Sequence, residues 1–98
     1  MLEKTIERYL VKEVKRIGGK AYKFESPGNN GVPDRLVVLP EGRVYFVELK
    51  RPKGGKTAAL QKLQQQSLKD LGANVMQLHT KELIDEFIKE VSDELYTT

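Results

Sequence analysis

Apolar residues recur at helical spacing through the first part of the chain, at Leu2, Ile6, Leu10, Val14 and Ile17, and Gly18-Gly19 stops the pattern. This predicts a helix over about Glu3 to Ile17, with Glu3 and Glu7 one turn apart toward one edge of the apolar stripe. Ala21 to Phe24 reads as a short strand, and Glu25 to Pro33, rich in Ser, Pro, Gly and Asn, as a loop. Leu36–Leu39 and Val44–Leu49 are rich in β-branched and aromatic residues and read as two strands. Helical spacing resumes from about Ala58 to Leu71, with Gly72 beyond its end; Leu60, Leu63 and Leu71 define the expected buried side, Gln64 falls on it, and Gln61 lies at its margin. Ala73 to Leu78 reads as another strand. Thr80 then caps a last helix whose broad apolar face carries Leu83, Ile84, Phe87, Ile88, Val91 and Leu95.

The predicted order is helix, three strands, helix, strand, helix. A right-handed crossover through the second helix makes the last strand parallel to the one ending at Leu49. The expected fold is α/β, a small mixed sheet flanked by helices, in one domain spanning residues 1–98. Hydrophobic content of 39% and charged content of 32% are ordinary for a globular protein and change little. The absence of cysteine does change the picture, because it excludes disulfides and thiolate metal sites. No secretory signal or membrane-length apolar run is visible, which makes a cytoplasmic location the default and a membrane partner unexpected. A net charge of +3 and a pI near 9.2 mildly favour a polyanionic partner.

The chemistry concentrates between Gly31 and Lys50. Pro40, Glu41 and Gly42 suit a three-residue hairpin loop, with Pro at the first position of a type I turn and Gly in the left-handed position. Such a loop pairs Leu39 with Arg43. Counting outward, Arg35 meets Val47 and Asp34 meets Glu48. Directly opposed side chains share a face, so the two carboxylates repel unless something compensates them. A bound cation does so, with Lys50 on the same face as Glu48. Two carboxylates and a lysine in this arrangement can hold a divalent ion and activate water, which points to metal-dependent phosphodiester hydrolysis. Gly28, Gly31 and Pro33 crowd the approach to Asp34, as suits a backbone brought close to a neighbour. Arg35 alternates with Asp34 and faces the other way, toward a helix or a partner chain.

The element order, with Pro33-Asp34 and Glu48-Leu49-Lys50, resembles the PD-(D/E)XK nuclease superfamily. The stretch KFESPGNNGVPDRLVVLPEGRVYFVELK, Lys23–Lys50, is similar to a stand-alone VRR-NUC domain of the phage and bacterial kind. The resemblance runs from IERYL at Ile6–Leu10 to the strand near Val75, and it implies a restriction-endonuclease-like αβββαβ core plus a C-terminal helix. It implies that Asp34, Glu48 and the backbone carbonyl of Leu49 bind Mg²⁺ or Mn²⁺, and that Lys50 orients or activates the attacking water. The products it implies are a 5′-phosphate and a 3′-hydroxyl. Glu7, or Glu3 as the alternative, assists from the first helix, and Gln61 fits the family's glutamine in the helix after the lysine. The chain departs nearby, with Thr57-Ala58-Ala59 where Ser-Pro is usual and Gln64 where an aromatic residue is common. The resemblance further implies a homodimer acting on branched DNA, including four-way (Holliday) junctions, in a bacterial or phage-infected cell.

Arg35, Arg51, Lys53 and Lys56 are the expected phosphate contacts, and Asn30 has room for a substrate contact. Lys12, Lys15 and Arg16 read as the wet face of the first helix. Gln65 and Gln66 read as helix surface, His79 as structural, and Tyr22 and Phe24 as sheet packing. A nickase or single-strand-cutting nuclease in phage replication is the runner-up function. A catalytically silent nucleic-acid-binding module is the alternative from another class, against which the intact acid pair argues.

Overall fold

The computed structural model describes residues 3–51 and 55–96, with the side chains of Glu3, Lys56, Glu94, Leu95 and Tyr96 outside the description. The expectations for Leu2, Lys53, Leu95 and the side chains of Glu3 and Lys56 therefore lie outside the described residues. Seven elements follow in the predicted order: α1 (Glu3–Arg16), β1 (Lys20–Lys23), β2 (Arg35–Leu39), β3 (Arg43–Glu48), α2 (Gly55–Asp70), β4 (Asn74–Gln77) and α3 (Lys81–Tyr96). The strands form one sheet in the order β1-β2-β3-β4, antiparallel except for the parallel pair β3-β4.

The helix ends follow local chemistry. At the end of α1, Gly18 takes φ +90°, its N–H donates to Lys15 O (3.0 Å), and the Gly19 N–H reaches back to Val14 O (2.9 Å). This double bond satisfies carbonyls that the helix leaves open, and only glycine adopts the left-handed turn without steric cost. Gly72 ends α2 through the same pattern, with Lys69 O and Leu68 O as acceptors. Thr80 caps α3, its Oγ1 accepting the Leu83 N–H at 3.1 Å.

The β2-β3 register is the predicted one, pair by pair from Leu39↔Arg43 to Arg35↔Val47. The turn differs from the type I expectation: Glu41 sits at φ 70°, ψ 18°, and Gly42 at φ 74°. The register survives because it depends on the loop's three-residue length, which is unchanged. Alternation then divides the sheet. Val37, Leu39 and Val47 are buried on one face with Ile6, Leu10 and Val14 of α1 and Ile84, Phe87, Ile88 and Val91 of α3. Tyr45 meets Phe87 edge-on at 5.1 Å in the same layer.

The opposite face, carrying Leu36, Val38, Val44 and Phe46, is less covered, and Val44 is exposed. Phe24 packs edge-on against Phe46 at 5.4 Å, whereas Tyr22 stays exposed beneath Lys20. Here the expectation for α2 is corrected. Leu60, Leu63 and Leu71 face outward, the last two 66% and 85% exposed, while Gln65 is the buried residue at 5%. The inward stripe runs through Ala58, Gln61, Gln64, Gln65 and Leu68 instead. The physical reason is a polar anchor: Gln77 of β4 donates from Nε2 to Gln65 Oε1 at 2.8 Å, turning that side of the helix to the sheet. Gln66 remains surface and donates to Asp70.

Candidate active site

Asp34 stands just before β2 and Glu48 ends β3, so the hairpin delivers the two acids side by side at one end of the sheet. Asp34 is locked from two directions. Its Oδ2 accepts the backbone N–H groups of Leu49 (2.9 Å) and Lys50 (3.1 Å), and its carbonyl accepts the Phe24 N–H (2.9 Å). A carboxylate that accepts two main-chain donors is held in one orientation. Asp34, Leu49 and Lys50 line a cleft of about 280 Å³ together with Glu7 from α1 and Lys23 and Phe24 from the end of β1.

Glu48 lies behind Asp34 and is 1% exposed. Apart from its contact with Asp34, neither of its carboxylate oxygens has a hydrogen-bond partner. Burial, then proton sharing with Asp34 and the charge of that neighbour, push the Glu48 carboxyl up to about 9. For Asp34, burial also acts upward. It is outweighed by the hydrogen bond with Glu48, the N–H groups of Leu49 and Lys50, and the Lys50 ammonium, which hold the carboxyl below its usual range. A buried acid in contact with a second, half-buried one does not ionise alongside it without a compensating positive charge. The pair therefore carries a proton or accepts a cation.

The donors available fit a hard divalent ion. Among the described residues no cluster of three or more His, Cys, Asp or Glu forms a ready-made cage. Two carboxylates and a carbonyl suit Mg²⁺ and Mn²⁺, which favour oxygen; Mg²⁺ in particular retains waters and completes its shell with substrate phosphate. The carbonyl is that of Leu49. His79, just beyond β4, contacts it through Nδ1 at 3.2 Å and lies 3.4 Å from the Gln77 side-chain oxygen through Nε2. This leaves the carbonyl a second lone pair.

The remaining expected residues are placed as follows. Glu7 reaches the cleft but is ion-paired with Arg35. Arg35 also donates to Ala21 O at 3.2 Å, so its guanidinium is engaged within the molecule. Gln61 does not line the cleft. It borders a neighbouring cavity of about 400 Å³ with Gln65 and Gln77, and its Oε1 is buried without a partner. Gly31 explains how Gln61 comes so near: at φ +89°, a Cβ there would sit 3.0 Å from Leu60 O and from Gln61 N, so the loop before Asp34 runs against the α2 backbone. Arg51 is exposed, and Asn30 is exposed in a loop held by Asn29, whose N–H and Nδ2 donate to Ser26.

Sequence reasoning missed the burial of Gln65, and it read His79 as structural without its partner, the Leu49 carbonyl. The signal for His79 is positional: Gln77 pairs with Glu48 in the parallel register, so a residue two places on falls beside the Leu49–Lys50 segment. That register is not written in the local sequence.

No family model matches the chain. A solved structure described as a VRR_NUC domain matches it with a TM-score of 0.78 at 30% identity, covering 89% of this chain and 94% of that one. The protein named "Putative nuclease p44" of Acyrthosiphon pisum secondary endosymbiont phage 1 is 51% identical over 81 residues, spanning 83% of this chain and 86% of its own length. The chain belongs to the VRR-NUC family. Its mixed four-stranded sheet with three helices is the VRR-NUC form of the restriction-endonuclease-like fold. Among the described residues, no helix of this VRR-NUC chain is long and apolar enough to cross a membrane.

Proposed function

We propose that this VRR-NUC chain is an endonuclease that uses Mg²⁺ or Mn²⁺ to hydrolyse phosphodiester bonds in branched DNA, resolving four-way junctions as a homodimer. The observation that carries the reading is the Asp34–Glu48 pair: Asp34 lines an open cleft, and Glu48 is buried against it with no donor group of its own. An apolar design would avoid that cost, and a bound cation removes it. Asp34, Glu48 and the Leu49 carbonyl are the residues that hold the ion. When bound, the ion supplies positive charge at the scissile phosphate and lowers the pKa of nearby water.

The chain's own groups do the rest. The Leu49 and Lys50 N–H groups hold Asp34 Oδ2 and with it the orientation of the carboxylate. Lys50 is exposed at the cleft, where its ammonium holds the attacking water and stabilises negative charge as it develops. Arg35 holds Glu7 at the rim. Support for the homodimer comes from Leu60, Leu63 and Leu71, which share one side of α2 and are left in solvent. A junction needs two cuts, hence two clefts.

The test is incubation of the purified chain with supercoiled, linear duplex, single-stranded and four-way-junction DNA, with and without Mg²⁺, alongside its mass in solution. Preferential Mg²⁺-dependent junction cutting by a species of twice the 11.2 kDa chain mass is expected. Failure to cut any DNA in Mg²⁺ or Mn²⁺ overturns the reading. Calorimetry adds a readout independent of cleavage. Mn²⁺ competes with the proton shared by the Asp34–Glu48 pair, so binding near neutral pH should release protons, seen as a heat that varies with buffer ionisation enthalpy.

A further inference from the structure

Four basic residues of α1 stand apart from every other use of charge described above. Lys4, Arg8, Lys12 and Lys15 are all exposed. At 3.6 residues per turn they fall within one arc of about 80°, opposite the Ile6, Leu10 and Val14 face that enters the core. Other cations on this side are engaged: Arg16 bonds Glu13 at 2.9 Å, Lys23 lies 3.7 Å from Glu25, Arg35 holds Glu7, and Lys81 sits over the Tyr9 ring. Among the described residues, none of the four stripe cations has an acidic partner.

The stripe is also part of a groove. The four cations, with Val11 and Arg35, line a shallow trough of about 560 Å³. Glu7 borders both this trough and the cleft of Asp34 and Lys50, and Arg35 neutralises it there. The trough is thus a positively charged continuation of the cleft across the Glu7–Arg35 pair. Resting on the proposed nuclease reading, we propose that the α1 trough is the track for the DNA arm leaving the cleft, with Lys4, Arg8, Lys12 and Lys15 contacting successive phosphates of its backbone.

The dimensions suit that ligand. Lys15 lies eleven helical steps beyond Lys4, a span of about 16 Å along the helix, which equals roughly five base-pair steps of one DNA strand. A second copy of this chain is a poor occupant, because a two-fold contact through the same patch sets four cations against four. An anionic lipid surface offers the same charge but has no reason to adjoin an acidic catalytic cleft.

The experiment compares the wild-type chain with a fourfold variant, Lys4→Gln, Arg8→Gln, Lys12→Gln and Lys15→Gln, and with Lys4→Arg, Lys12→Arg and Lys15→Arg together as the charge-retaining control. Binding to a labelled four-way junction is measured without divalent ion between about 50 and 200 mM salt. Removing four phosphate contacts should lower the slope of log affinity against log salt by about 3 to 4. The arginine control should keep the wild-type slope. For cleavage, KM for the junction should rise while kcat at saturation holds. An unchanged affinity and salt slope in a folded fourfold variant overturns the proposal. So does loss of binding to phosphatidylserine vesicles with junction binding intact. The two readings fail separately. A chain that never cuts DNA but loses its salt slope in the variant keeps the track and loses the nuclease. A chain that cuts but binds equally well after charge removal keeps the nuclease and loses the track.

Discussion

The β2-β3 hairpin and α2 are neighbours, yet they are specified in opposite ways. In the hairpin, alternation and a three-residue loop leave one workable register, and every predicted pair from Leu39↔Arg43 to Arg35↔Val47 is present. A shift of one residue would turn Val37, Leu39 and Val47 out of the core and separate Asp34 from Glu48. In α2 the leucines that mark an apolar stripe lie in solvent, and a glutamine takes the buried position. The period of a helix shows which residues share a face. It does not show which face meets the sheet when polar partners wait there, as Gln77 does for Gln65. Register is a local property, whereas helix rotation is decided by what it packs on.

Substitutions at the cleft test the hairpin most severely. Asp34→Ala and Lys50→Ala should each lower Mg²⁺-dependent cleavage by about a hundredfold or more, with far-UV circular dichroism unchanged. Retained cleavage in either would show that the hairpin delivers these side chains for some other purpose. Asp34→Ala should also cost stability, since it strips the acceptor from two main-chain N–H groups.

The acid pair next predicts a pH dependence. Glu48 has its folded pKa raised to about 9 from 4.5, so between those values the native state binds more protons than the unfolded chain. Stability of the metal-free protein should therefore fall as pH rises through this window, by at most about 1.4 kcal/mol per pH unit. Asp34 acts in the opposite sense: its depressed pKa gives stability that is lost as pH falls below the ordinary carboxylate range. In Glu48→Gln the downward slope should flatten and the metal-free protein should gain stability at high pH, while cleavage is lost. Thermal melts across pH measure both effects, and an unchanged slope would exclude Glu48 as its source.

Core against helix surface gives a further contrast. Leu39→Ala on β2 should cost about 2–5 kcal/mol. Leu63→Ala on α2 should stay within about 0.5 kcal/mol for the monomer. Denaturant titration at low concentration makes the comparison, and a large loss at Leu63 would mean that α2 packs through its leucines after all. The smallest contrast lies between two glycines of one loop. Gly28→Ala meets no atom within 4 Å and should cost about 1 kcal/mol for its left-handed backbone alone. Gly31→Ala should cost more, because its Cβ also presses on Leu60 O. Its cleavage rate should fall as well if the position of Gln61 matters, a loss absent from Gly28→Ala.

Much of the fold was legible, for identifiable reasons. Element order follows from two periodicities, and element ends from Gly18, Gly72 and Thr80, each of which satisfies backbone groups locally. The carboxylates were legible as a pair because hairpin counting places Asp34 opposite Glu48. Their environment was not. That Glu48 is sealed while Asp34 stays at the cleft wall depends on what covers the sheet end. Arg35 was legible as facing away from Asp34, but its partners Glu7 and Ala21 O come from elements distant in sequence. Lys12 and Lys15 looked like ordinary solvated charge; only the position of α1 beside the cleft makes them part of a continuous basic trough.

By itself, then, the amino-acid order determined the strands, their hairpin register and the pairing of two acids with a lysine, because each depends on residues close along the chain. Tertiary structure alone decided the burial of Glu48, the contact of His79 with the Leu49 carbonyl, the rotation of α2 and the ion pair of Glu7 with Arg35. Those features arise where distant segments meet, and there desolvation and the available hydrogen-bond partners, rather than local periodicity, set the outcome.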